Sequence, residues 1–211
     1  MNRHFNGIIL MAMIMILACI MSKQVHAKDF NFRDTYWGMS SKDVQDREFE
    51  KSGLLGLLEV KKHGNIAEYI YADTIAEIDV EITYVFVNDK LFGAKYDCKP
   101  SGDPYKCFGD GATMREILER KYGKTKVDIL NNTRHKLNEL SGTEIAEATR
   151  LGLLFFNYSW SLPETMITLD IHGDSTNVKT SVEYGTTDEK LLKELDYEEN
   201  NYEENKGQND F

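Results

Sequence analysis

Cys98 and Cys107 are the two side chains whose type and spacing point most directly to covalent chemistry. Between them lies Lys99-Pro100-Ser101-Gly102-Asp103-Pro104-Tyr105-Lys106, a segment dense in turn formers that can bring its ends together. A disulfide is therefore expected. Closing a loop of this size stabilises by about 2.5–3 kcal/mol in the chain-entropy model. A metal or redox pair is the alternative, but the spacing is far from Cys-x-x-Cys and no histidine lies nearby.

Other candidates are weaker. Asp170, His172 and Asp174 occupy alternate positions of a strand and so share a face, as metal ligands could, yet Asp and Gly173 at a hairpin turn serve conformation equally well. Phe108-Gly109-Asp110-Gly111 could present backbone N–H groups to an anion or simply turn the chain, and no lysine stands in the P-loop position. Beyond the first 27 residues the histidines are His63, His135 and His172, and the sequence has no His-Glu-x-x-His, Gly-x-Ser-x-Gly or P-loop signature. Acid pairs are so common that they single out no glycosidase dyad. The sequence nominates no catalytic residue, no cofactor and no metal site, and the reading is non-enzymatic. A hydrolase or metal protein whose site forms only in three dimensions is the remaining alternative.

The compartment follows from the first residues. Arg3 and His4 precede an apolar run from Gly7 to Ile20, and polar Ser22, Lys23 and Gln24 lead to Val25-His26-Ala27. Residues 1–27 read as a signal peptide, because the run is shorter than the roughly 20 apolar residues of a membrane span. Ile16-Leu17-Ala18-Cys19 also resembles a lipobox, which would make Cys19 a lipidated N-terminus. Export to the periplasm or medium is expected, with a lipid-anchored envelope protein as the alternative. No transmembrane helix is expected in the mature chain. Cleavage deletes Arg3 and Lys23 and no acid, so the formal charge moves from −10 to −12. Such a chain lacks the basic cluster that gives affinity for nucleic acid or anionic lipid.

The elements that would position these residues show two repeated units. Ser40 reads as an N-cap with Asp43 three residues on, and Met39 can pack on Val44 as a hydrophobic staple. Trp37 then plugs the entry of the chain and Gly38 permits the turn, although a binding role for the tryptophan is the alternative. Thr113 to Glu116 reads as a second capping box, leading a helix with Met114, Ile117, Leu118, Lys121 and Tyr122 on one face and Gly123 at its end.

Strands follow each helix start. Ile78 to Phe86 alternates and turns at Asn88-Asp89 into Leu91 to Tyr96; Ile167 to His172 alternates and turns at Gly173-Asp174 into Val178 to Tyr184. Glu68 to Asp73 and Phe156 to Ser161 match as the first clear strand of each unit. The expected fold is α+β: a tandem of helix followed by antiparallel β-meander, with the helices on one sheet face. The units span 28–110 and 111–187, with an insertion near 131–152 in which Ser141 to Glu144 and Ile145, Ala148 and Leu151 mark an extra helix. Residues 188–211 read as a short helix, then a disordered acidic tail.

Phe32-Arg33, Trp37-Gly38-Met39-Ser40 with Val44 four residues on, the meander ending in Phe86, Leu91 and Tyr96, and Leu118 to Gly123 resemble a loose group of small exported bacterial proteins without assigned activity. In outline the tandem is also similar to the β-lactamase inhibitor protein and to the small lipoprotein subunit of the outer-membrane β-barrel assembly machinery. These resemblances carry over no catalytic residue. They imply a protein that binds another protein or an envelope component through its sheet and loops. The candidate partner face is Asp79, Glu81, Thr83, Thr168, Asp170 and His172. An inhibitor of an exported enzyme is the alternative, and oligomeric state is left open.

Overall fold

A computed structural model describes residues 31–52, 56–125, 127–130 and 139–194. The expected signal peptide, Cys19, part of the expected insertion and the acidic tail lie outside the described residues. The fold is α+β, as the alternating strands and capped helices foretold. Among the described residues its centre is one antiparallel sheet of eight strands: β1 Leu57–His63, β2 Ile66–Ile75, β3 Ile78–Val87, β4 Lys90–Cys98, β5 Val127–Leu130, β6 Phe155–Ser161, β7 Thr165–Gly173 and β8 Val178–Thr186. The helices of the described residues are α1 Ser41–Ser52, α2 Pro104–Tyr122 and α3 Gly142–Arg150.

Strand order is β1-β2-β3-β4-β8-β7-β6-β5. Each half is a four-stranded meander, and the last strands of the two halves pair edge to edge from Gly93 opposite Gly185 to Asp97 opposite Ser181. Sequence alternation located the central hairpins because their faces differ in polarity. It missed β1, exposed along its whole length and so without a buried face to contrast with a solvated one, and β5, which at four residues is too short for a periodic pattern.

One face of this sheet carries the core. Cross-strand neighbours share a face, so Tyr84, Ala94, Tyr184, Ile167 and Trp160 form one row and Ile82, Tyr96, Val182, Leu169 and Tyr158 the next. All ten are buried. α1 covers the first half of this face through Val44 and Glu48, the latter accepting from the Tyr84 hydroxyl. α2 crosses the second half, burying Cys107, Gly111, Met114 and Leu118. A Cβ at Gly111 would stand 2.7 Å from Thr180 Oγ1 and 2.8 Å from Ile171 Cδ1, which is why a glycine lies inside this helix.

The N-terminal motif closes the seam between the halves. The Phe32 ring packs on Tyr84 of β3, Tyr96 of β4 and Tyr184 of β8 at centroid distances of 4.8–5.4 Å. Trp37 is buried and its indole donates to Thr165 Oγ1 at the start of β7. Gly38, at φ 81°, donates to Leu91 O, and Leu91 N–H returns to Met39 O. Ser40 caps α1 as expected, accepting from Asp43 N–H at 3.2 Å, with Met39 and Val44 both buried. The plug reading of Trp37 is the one the packing supports.

The second helix departs from the expected pattern. α2 starts at Pro104 with Asp103 as N-cap, a full two turns before Thr113, whose hydroxyl donates to Gly109 O in mid-helix. Pro104 at the first helical position and a carboxylate before it form a stronger start than Thr113, and they absorb Gly109 and Gly111 into the helix. The boundary expected between 110 and 111 thus falls inside α2. By contrast, Ser141 and Glu144 form the full capping box of α3.

Candidate functional site

All six candidate face residues lie on the sheet face opposite the helices. The register carries a row Glu81, Asp97, Ser181, Asp170, Asn157 across five strands, and beside it Thr83, Lys95, Glu183, Thr168, Ser159. His172 stands opposite Lys179, and Asp79 extends the β3 end. Asp79 is exposed, and Glu81, Thr168, Asp170 and His172 are half-buried. Thr83 differs: it sits between Ile70 and Lys95 and is buried, so it supports the face without presenting itself.

The face is acidic and internally paired. Glu81 and Asp97 oppose each other, a like-charge pairing that destabilises a ladder unless cations intervene. Lys95 approaches Asp97 at 2.9 Å and Lys99 approaches Glu81 at 3.6 Å. Where the β4–β8 pairing stops after Asp97 and Ser181, the strands separate around a cavity of about 320 Å3 lined by Glu81, Asp97, Cys98, Lys99, His172 and Lys179 among others. Two buried polar atoms of lining residues, His172 Nδ1 and Thr180 Oγ1, have no hydrogen-bond partner.

The chemistry expected of other residues resolves differently. Cys98 and Cys107 are free thiols, not the expected bridge. Cys107 lies one turn into α2 with its sulfur accepting from Ser101 N–H at 3.3 Å, because the helix begins at Pro104 and fixes that turn. Burial, with Asp110 and Asp97 nearby, pushes the Cys98 thiol up to about 12, so at neutral pH it is no nucleophile. Asp170 accepts from Asn157 Nδ2 at 2.6 Å. Asp174 accepts from Thr176 and Asn177 in the β7–β8 turn and pairs with Lys179 at 2.9 Å, and these hydrogen bonds hold its carboxyl well below the usual range. Among the described residues no group of three or more His, Cys, Asp or Glu is placed to hold a metal ion. Gly109 and Gly111 are helical and form no anion loop.

Sequence reasoning missed the seam cavity, because it lies where two strands nearly ninety residues apart diverge, a distance no local pattern encodes. It also missed Glu48, buried at 2% exposure among Arg33, Lys51 and Tyr84. Its spacing from Val44 along α1 was the available signal. Among the described residues no helix is long and apolar enough to cross a membrane. No family model matches the chain, and no curated protein or solved structure matches it either.

Proposed function

We propose that this is an exported, non-enzymatic protein-binding module of the cell envelope that engages its partner with the open face of the sheet. The observation that carries the reading is the gathering of Asp79, Glu81, Thr168, Asp170 and His172 from both meanders onto one face that no described helix covers. A sheet face of this kind is rigid, so little ordering entropy opposes docking. Its acids favour a partner with a basic surface, and the seam cavity offers a pocket for one anchoring side chain.

The test is site-specific photocrosslinking in intact cells, with the probe placed at Asp79, Thr168 or Lys179 and, as controls, at Glu116 or Glu147 on the helices. Adducts to one protein from the sheet positions alone support the reading. Equal adducts from the helix positions, or none from the sheet, overturn it. If the captured protein is an exported enzyme that loses activity in the complex, the module is an inhibitor. The intact mass of the purified protein locates the chain: a start at Lys28 supports a freely exported protein, a lipid-sized excess on Cys19 an anchored one, and an unprocessed chain refutes export.

A further inference from the structure

The outer edge of β1 is the feature the proposed function leaves unused. β1 pairs with β2 on one side only, and Leu57, Leu58 and Val60 are 39%, 50% and 40% exposed. The two-residue turn at Gly64 and Asn65 makes His63 and Ile66 a hydrogen-bonded pair. Alternation along the ladder then directs the backbone groups of Glu59, Lys61 and His63 toward β2 and those of Val60 and Lys62 outward. An edge with outward donors, outward acceptors and apolar side chains is a template for another strand.

We propose that β1 pairs antiparallel with β1 of a second copy, about a two-fold axis at Val60, joining two eight-stranded sheets into one. Symmetric pairing must set outward-facing residues against each other, so the axis has to pass through a residue. Centring it on Glu59 sets Glu59 against its own copy, on Lys61 sets Lys61 against itself, and on Lys62 sets Lys62 against itself. Like charges directly opposite are unfavourable. Centring on Leu58 or His63 leaves a few residues of overlap at most. Centring on Val60 puts the axis at the middle of the seven-residue strand and places Glu59 opposite Lys61 of the second copy, twice. Within one chain Lys61 already stands 3.5 Å from Glu59, so in the dimer four charges alternate in sign around the axis. The register shift between Leu57 and Glu59 lies toward the strand end, outside these central pairs.

Sedimentation equilibrium of the mature chain over a wide concentration range tests this. A reversible monomer–dimer equilibrium is expected. E59K or K61E alone should weaken it about tenfold through two repulsive pairs, and the double variant E59K/K61E should restore it. V60P should abolish it while far-ultraviolet circular dichroism stays unchanged, because the Val60 N–H points away from β2. A monomer at every concentration, a dimer that V60P leaves intact, or a double variant no better than the single ones would overturn the proposal.

Discussion

Trp37 Nε1 donates to Thr165 Oγ1 at 2.9 Å, tying residues 128 positions apart. The bond joins the entry to α1, in the first half, to the first residue of β7 in the second. Trp37→Phe keeps most of the apolar burial and loses the bond, so a loss of about 1–2 kcal/mol is expected. Trp37→Ala also opens a cavity and should cost about 3–5 kcal/mol. Urea unfolding of both variants measures the difference; a Trp37→Phe variant as stable as the parent would show that the bond contributes nothing, and equal losses that the indole's burial adds nothing to it.

Glu48 is a buried charge on the sheet-facing side of α1. It accepts from the Tyr84 hydroxyl and stands 3.1 Å from Arg33 Nε and 3.5 Å from Lys51 Nζ, while Arg33 also reaches Asp73 at 2.7 Å. Glu48→Ala strips a partner from a mostly buried guanidinium and should destabilise by about 3–5 kcal/mol. Tyr84→Phe removes a single hydrogen bond to a carboxylate, at about 1.5–3 kcal/mol. Chemical denaturation gives the ranking, and a greater loss for Tyr84→Phe would contradict it.

Alkaline pH should loosen the aromatic core. Burial, with the Glu48 carboxylate nearby, pushes Tyr71 up to about 12; burial also takes Tyr96 to about 12, although Arg33 opposes it. Tyr84 and Tyr184 move in the same direction for the same first cause. A folded pKa above the unfolded value means the stabilisation is complete below about pH 10 and declines as pH climbs from there toward 12. Each such tyrosine contributes a slope of roughly 1.4 kcal/mol per pH unit in that window. Urea midpoints at pH 8, 10 and 11, paired with phenolate absorbance, check it; a midpoint flat to pH 11 would refute the burial argument.

The two thiols should be slow. Cys107 is buried, and Cys98 combines partial burial with a raised pKa. An aromatic disulfide reagent should label neither quickly in the native protein and both after denaturation. Rapid native labelling would contradict the packing, and two missing thiols in the denatured protein would restore the bridge that the spacing suggests.

Gly111→Ala tests the crossing of α2 over β7 and β8. Alanine is the better helix former by about 1 kcal/mol, yet its methyl would meet β-branched Thr180 and Ile171 below 3 Å. A net loss of about 1–2 kcal/mol in thermal or urea unfolding is expected from overpacking. A gain in stability would mean that the helix can lift off the sheet freely.

Local signals in the sequence settled the elements with two unlike faces or a strong cap. The hairpin turning at Asn88 and Asp89, both at positive φ, the hairpin from Thr165 to Thr186, and the capping box at Ser141 were all legible. Thr113 misled because a capping-box pattern costs nothing inside a helix, where its hydroxyl simply bonds the carbonyl four residues back. The candidate face was legible as two separate polar stripes, one on β3 and one on β7.

What the sequence by itself determined is the fold class, the helix start at Ser40 and the polarity of each strand, since these depend on residues within a turn or a pleat of one another. Tertiary structure alone decided that the two stripes share one face, that β4 and β8 part to leave a cavity, and that Glu48 is buried. Those features rest on the pairing of Gly93–Asp97 with Ser181–Gly185 and on Tyr84 meeting α1. Contacts of that separation are fixed by the shape of the whole core, and periodicity along the chain carries no record of which strand becomes whose neighbour.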